Sequence, residues 1–153
     1  MRRDSRLSRM LHVLIHMDRH TKRMTSETIA QMLGTNAVVI RRTMAGLKKQ
    51  GYVRSENGHG GGWELTRGLA DISLLDVYVA IGAPPLFAIG PSSDHPTCLV
   101  EQAVDAALDD TLRNAELLLR DRLAAITIAD LASDFDRRFA TLRLPDGICA
   151  AKA

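Results

Sequence analysis

The chain has 153 residues, 46% hydrophobic and 25% charged, an ordinary size and balance for one soluble domain with an appended element. No stretch approaches the ~20 uncharged apolar residues of a membrane span, and no apolar signal core follows the arginine-rich start, so neither a membrane nor export is expected. The net charge of +2 hides a division: residues 1–68 carry 13 Lys and Arg against 5 Asp and Glu, or +8, whereas residues 69–153 carry 7 against 13, or −6.

In chain order, residues 5–19 form a first amphipathic helix with Leu7, Met10, Leu11, Leu14 and Met17 at helical spacing. His12, His16 and His20 recur every fourth residue along it. Without cysteine or carboxylate support they predict a solvated or partly packed row rather than a metal site. Residues 21–24 connect onward. Thr25 or Ser26 then caps a short helix with Glu27 in its first turn and Ile29, Met32 and Leu33 on one face, which Gly34 is suited to stop. Thr35 or Asn36 caps the next. There Ala37, Ile40, Met44 and Leu47 make an apolar stripe that leaves Thr35, Val38, Val39, Arg42 and Lys49 pointing away from the core.

Gly51 ends that pattern. Residues 52–56 alternate as a strand, 57–61 form a glycine-rich loop, and 62–66 alternate again. The order is helix, turn, helix, wing. In such a unit the second helix enters the DNA major groove and the first crosses the phosphate backbone, which puts Thr25 and Ser26 at the phosphates. Arg42 suits guanine, Asn36 adenine, and Val38 or Val39 a thymine methyl, while Arg41, Lys48 and Lys49 suit phosphates. At the wing tip Asn57, Gly58 and His59 are the candidates for contact, since glycines allow close backbone approach. A phosphate-cradling nucleotide loop would need a following helix, but a strand follows. Trp63, the only tryptophan, is expected under the wing. Helix pairs joined by glycine are also common packing units; the basic half favours a nucleic-acid reader.

Ser73 and Asp76 make a capping pattern for a helix whose buried face is Leu74, Val77, Tyr78 and Ile81. Four of the five prolines fall in residues 82–97, a linker. From residue 98 or 99 to about 124 runs a long helix without Gly or Pro, with a broad stripe that includes Val100, Val104, Leu108, Leu112, Leu118 and Leu119. At ~1.5 Å per residue it is about 40 Å long, more than a small winged domain can cover, and a second copy is the economical partner. Thr127 and Asp130 then cap a last short helix carrying Leu131, Phe135 and Phe139, and the chain after residue 144 is expected to fray. The division predicted is 1–82 for the winged unit, 83–97 for the linker, 98–144 for the dimerisation and terminal helices, and 145–153 for a flexible tail.

The runs LGTNAVVIRRTMAGLKKQGYVRS, GHGGGWELTR and DISLLDVYVAIG resemble the Rrf-two family of bacterial transcriptional regulators, over about residues 7–132. The resemblance implies a mainly α fold: a winged helix-turn-helix domain with a small β-hairpin wing and a long C-terminal dimerisation helix. It further implies a homodimer that represses by binding a palindromic operator in double-stranded DNA. No paired carboxylates, activated serine or metal constellation stands out in the residues, so no enzyme is expected. Many members carry arginine where Asn57 stands, which weakens minor-groove reading here. Several bind an iron-sulfur cluster through three cysteines before the long helix; this chain has Cys98 alone there, and its other cysteine is Cys149. No metal and no cofactor are therefore expected. Cys98 is left as a candidate redox switch at a helix N-terminus, which lowers a thiol's pKa. A small-molecule or redox effector is a further expected partner, and a cytoplasmic location suits the cysteine usage. The other functional class is a winged module that docks on a protein and regulates an enzyme.

Overall fold

The computed structural model describes residues 4–20, 22–92 and 97–141. Its helices are α1 (Arg6–Arg19), α2 (Ser26–Leu33), α3 (Ala37–Lys49), α4 (Leu74–Ala80), α5 (Leu99–Ala124) and α6 (Ile128–Thr141). Between α3 and α4 lie β1 (Val53–Glu56), β2 (Gly62–Leu65) and a 3-10 turn at Leu69–Asp71. The expected architecture is present: a mainly helical chain, a two-stranded antiparallel wing and one long helix near the C-terminus.

Local chemistry sets most of these boundaries. Thr25 caps α2 by accepting from the Thr28 backbone N–H at 3.1 Å, and Gly34 closes it in the left-handed region at φ 59°. Asn36 caps α3 through Oδ1, which accepts from the Val38 N–H at 2.7 Å. Ser5 does not cap α1; Asp4 takes that place by accepting from the Arg6 N–H at 2.9 Å.

The core gathers Val13 and Leu14 of α1, Ile29 of α2, Ile40, Met44 and Leu47 of α3, and Val77 of α4, all essentially without solvent contact. Leu7 and Leu11, expected on the buried face of α1, only flank this core, and Val13 takes the inner position. Helices α3 and α4 cross so closely that a Cβ on Gly46 would stand 2.0 Å from the Ala80 carbonyl oxygen. Only glycine fits there. In the wing Val53 pairs with Leu65 and Ser55 with Trp63. Met24, expected to be mere connection, joins the wing as a third backbone partner: its N–H and C=O exchange bonds of 3.1 and 2.9 Å with Trp63. Gly62 allows this approach, at φ 143° and with the Met24 carbonyl oxygen only 2.9 Å from where a Cβ would stand.

The starts of α4 and α6 lie side by side. Ser73 and Asp76 form a reciprocal capping box, and Thr127 and Asp130 form another. Between them Leu74 N–H donates to Ile126 O and Ile128 N–H to Ile72 O, both at 2.9 Å. Helix α6, expected to be short, runs fourteen residues, and its Ile128 is fully buried against the winged unit. Helix α5 is the exception to all this packing: none of its 26 residues is buried. The tail expected at 145–153 and part of the linker at 83–97 lie outside the described residues. No helix among the described residues is long and apolar enough to cross a membrane.

Candidate nucleic-acid interface

Helix α3 presents its outer face as its sequence periodicity requires. Val38 is 61% exposed and Val39 48%, both too open for residues placed to stabilise a core. Arg42 and Lys49 are exposed on the same helix, and among the described residues neither forms an ion pair. Thr35 is half-buried, and its N–H donates to Ala30 O at 2.9 Å. The Asn36 side chain is exposed, yet its Oδ1 is engaged by the Val38 N–H. A bidentate contact to adenine uses both the oxygen and the amide nitrogen, so such a contact would have to release the cap.

The other expected contacts divide by what already holds them. Ser26 is buried at 7% exposure, and its Oγ accepts from Trp63 Nε1 at 2.9 Å. It supports the wing from beneath and has no surface to offer a phosphate, which corrects its expected place at the backbone. Sequence periodicity gives no sign of this, because the partner is 37 residues away. Thr25 is exposed, with Oγ1 occupied by the α2 cap. Arg41 pairs with Glu27 across the helix pair. Lys48 Nζ donates to Ser55 Oγ at 2.8 Å, which ties the end of α3 to the wing. Asn57, Gly58 and His59 are exposed at the wing tip, where Gly61 N–H donates to Gly58 O at 3.0 Å.

A charge cluster behind the wing is not foreseen from the sequence. Arg23 donates to Glu56 at 2.7 Å and to Glu64 at 3.1 Å, and Arg54 also pairs with Glu64. Hydrogen bonds from Arg23 and then Arg54 hold the Glu64 carboxyl below the usual carboxylate range. Three arginines of the basic half, Arg23, Arg41 and Arg54, are thus answered by the protein's own carboxylates. The positive field on this side rests instead on Lys22, Arg42, Lys48 and Lys49, none of which pairs with a carboxylate among the described residues. The one signal that could have found part of it is the hairpin register, which sets Arg54 opposite Glu64.

Helix pair, exposed second helix and adjoining wing define a winged helix-turn-helix DNA-binding regulator. A family model described as "Rrf2: Iron-dependent Transcriptional regulator" matches residues 3–134, and the chain belongs to that family. The Bacillus subtilis (strain 168) protein YwnA, named as an HTH-type transcriptional regulator, is 37% identical over 131 residues, covering 84% of this chain and 95% of YwnA. A crystal structure of a transcriptional regulator from Lactobacillus plantarum superposes with TM-score 0.73 at 28% identity, covering 86% of this chain and 90% of that one. T. potens IscR shares the fold at TM-score 0.64 and 19% identity, over 96% and 94% of the two chains.

Among the described residues the iron in the family description finds no fitting donor set. Cys98 is exposed at the N-cap of α5, Asp94 and His95 lie outside the described residues, and so does Cys149. Iron-sulfur clusters are held by several thiolates, and one does not suffice. The α1 histidines form a row, with ring centroids 4.6 Å apart for His12 and His16 and 6.3 Å for His16 and His20. Burial, then the charges of His12, His20 and Arg19, holds His16 below the usual histidine pKa. Among the described residues no three of His, Cys, Asp or Glu come together closely enough to hold a metal ion.

Proposed function

We propose that this regulator is a cytoplasmic repressor that binds a palindromic operator as a homodimer, with residues 1–82 as its reading unit and residues 98–144 as its dimerisation unit. The observation that carries this reading is the outer face of α3, where Val38, Val39 and Arg42 stand exposed and unengaged beside a wing. Inserted in a major groove, Arg42 donates two hydrogen bonds to guanine O6 and N7 while a valine packs on a thymine methyl. Lys48 and Lys49 meet phosphates on the flank, with the Thr25 end of α2 and the Asn57–His59 tip at the neighbouring backbone. A two-fold dimer sets its half-sites about one helical turn, ~34 Å, apart.

A redox input through Cys98 is part of the proposal. The thiol is exposed at the N-cap of α5, so oxidation there adds bulk or charge at the start of the helix that joins the two copies. The test is selection of bound genomic fragments followed by gel shifts at several salt concentrations, with and without peroxide. Dyad-symmetric sites, a steep salt dependence, and peroxide sensitivity absent from Cys98→Ser support the reading. Sites without dyad symmetry remove the palindromic operator, and equal peroxide sensitivity of Cys98→Ser removes the switch.

A further inference from the structure

The cations near the start of the chain take no part in the reading face described above. On α3, Val38, Arg42 and Lys49 lie near the middle of the outer face. At ~100° per residue Arg41 and Val39 stand about 160° apart around the helix, so they mark the two edges of that face. One edge is furnished by α2 and the wing, through Arg41 with Glu27 and Lys48 with Ser55. The other belongs to α1 and α4. There Arg6, Arg9, Thr35, Val39 and Thr43 line one narrow cleft. Arg6, Val39 and Arg42 line a second, of about 380 Å³, together with Ala80 and Ile81 at the end of α4.

We infer that Arg9 is a phosphate clamp: it binds the DNA backbone on the strand that borders the major groove away from the wing, so that α3 is held from both sides. The inference rests on the DNA-binding reading above and adds a contact outside the helix pair and the wing.

Three observations favour it. A helix inserted in a groove about 12 Å wide has a phosphate backbone on each side. The Thr25 end of α2, Lys48 and the wing serve one of them, and α1 is the element at the other edge. The charges of α1 also divide. Arg6 is already engaged, since its Nη2 bonds Asp4 Oδ2 at 2.6 Å and its Nη1 donates to Ile81 O at 3.4 Å. It answers the nearby carboxylate and ties α1 to α4. Arg9 is exposed, and no carboxylate pairs with it among the described residues. Its charge is left for an external anion. The cleft also supplies a seat: Met10 and Val39 give it an apolar floor, on which an arginine stem lies while its guanidinium stays in water. That planar fork matches two oxygens of one phosphate.

The test uses the full-length chain and a duplex recovered by selection from random-sequence DNA, probed by phosphate ethylation interference. In wild type, ethylation should block binding on both strands of each half-site. Arg9→Ala should release the block on one strand and keep it on the other, with affinity about tenfold lower and a salt slope reduced by about one per half-site. Lys48→Ala, at the wing edge, should release the opposite strand. Arg9→Lys should restore most of the affinity, because a phosphate accepts either cation. Arg9→Ala with unchanged affinity and salt slope, or weakened binding with no phosphate released, overturns the clamp while leaving the DNA-binding reading intact. A wild type that enriches no duplex removes the reading and the clamp together.

Discussion

The long helix is the richer in leucine, valine and alanine, with 14 in its 26 residues against 20 in residues 1–82, yet it is the winged unit that encloses them. In α1 to α4 the apolar side chains converge, and Leu14, Ile29, Met44, Leu47 and Val77 are fully enclosed. In α5 none is enclosed. The first region is complete in one chain, because short helices can be folded back on each other by glycine-stopped turns. The second is a straight rod of about 39 Å, and a rod cannot fold back on itself. Burial thus distinguishes residues that stabilise the single chain from residues that leave their apolar surface uncovered.

The largest break in this contrast is expected from matched truncations. Leu47→Ala, in the enclosed region, should lower unfolding stability by ~2–5 kcal/mol, read by urea denaturation. Leu118→Ala, 74% exposed on α5, should leave the same curve within about 0.5 kcal/mol when the protein is dilute enough to be monomeric. Equal losses would mean that α5 packs as tightly as the core.

A second measurement sharpens the division within the winged unit itself. Ser26→Ala leaves the buried Trp63 Nε1 without its acceptor and should cost ~1–3 kcal/mol of stability, with no change in base preference. Altered operator preference at full stability would return Ser26 to the interface. Arg42→Ala should do the reverse, sparing stability while costing roughly 1–3 kcal/mol of specific binding at one position per half-site. Lys49→Ala is its control and should weaken all sequences alike, reducing the salt slope by about one.

The smallest effect concerns the capping box at α4. Burial pushes the Asp76 carboxyl up, but hydrogen bonds from the Ser73 hydroxyl and N–H outweigh it and hold the carboxyl below its usual value of 3.8. A depressed folded pKa contributes stability that is present above the unfolded value and lost as pH falls through the folded one. Ser73→Ala should therefore cost ~0.5–2 kcal/mol at neutral pH. The difference from wild type should shrink below about pH 4, where thermal melts of the two converge.

What the sequence disclosed and what it withheld follow the same physical line. Thr25, Gly34, Asn36, Ser73 and Thr127 mark helix ends because a cap is a contract between residues two to four apart. The stripe of Ile40, Met44 and Leu47 is visible for the same reason. The Ser26 bond to Trp63, the Arg23 pairs with Glu56 and Glu64, and the joining of Met24 to the wing span 33 to 41 residues, and no periodicity encodes them. The candidate reading face was legible in outline as exposed positions on α3. Which of its cations are already neutralised depends on tertiary neighbours. The apolar stripe of α5 was equally plain, but a stripe states only that it wants covering.

Gly46 gives α3 a division of labour along its own length. Its second half is pinned to α4 at a separation no side chain can enter, whereas Val38, Val39 and Arg42 in the first half touch little of their own chain. Exchanging the exposed residues would scarcely disturb the scaffold, since surface positions free of partners shift stability by about 0.5 kcal/mol or less. The helix is in that sense a replaceable key blade on a fixed shank. On the reading proposed above, an engineer retargeting the protein would randomise positions 38, 39 and 42 and leave position 46 untouched.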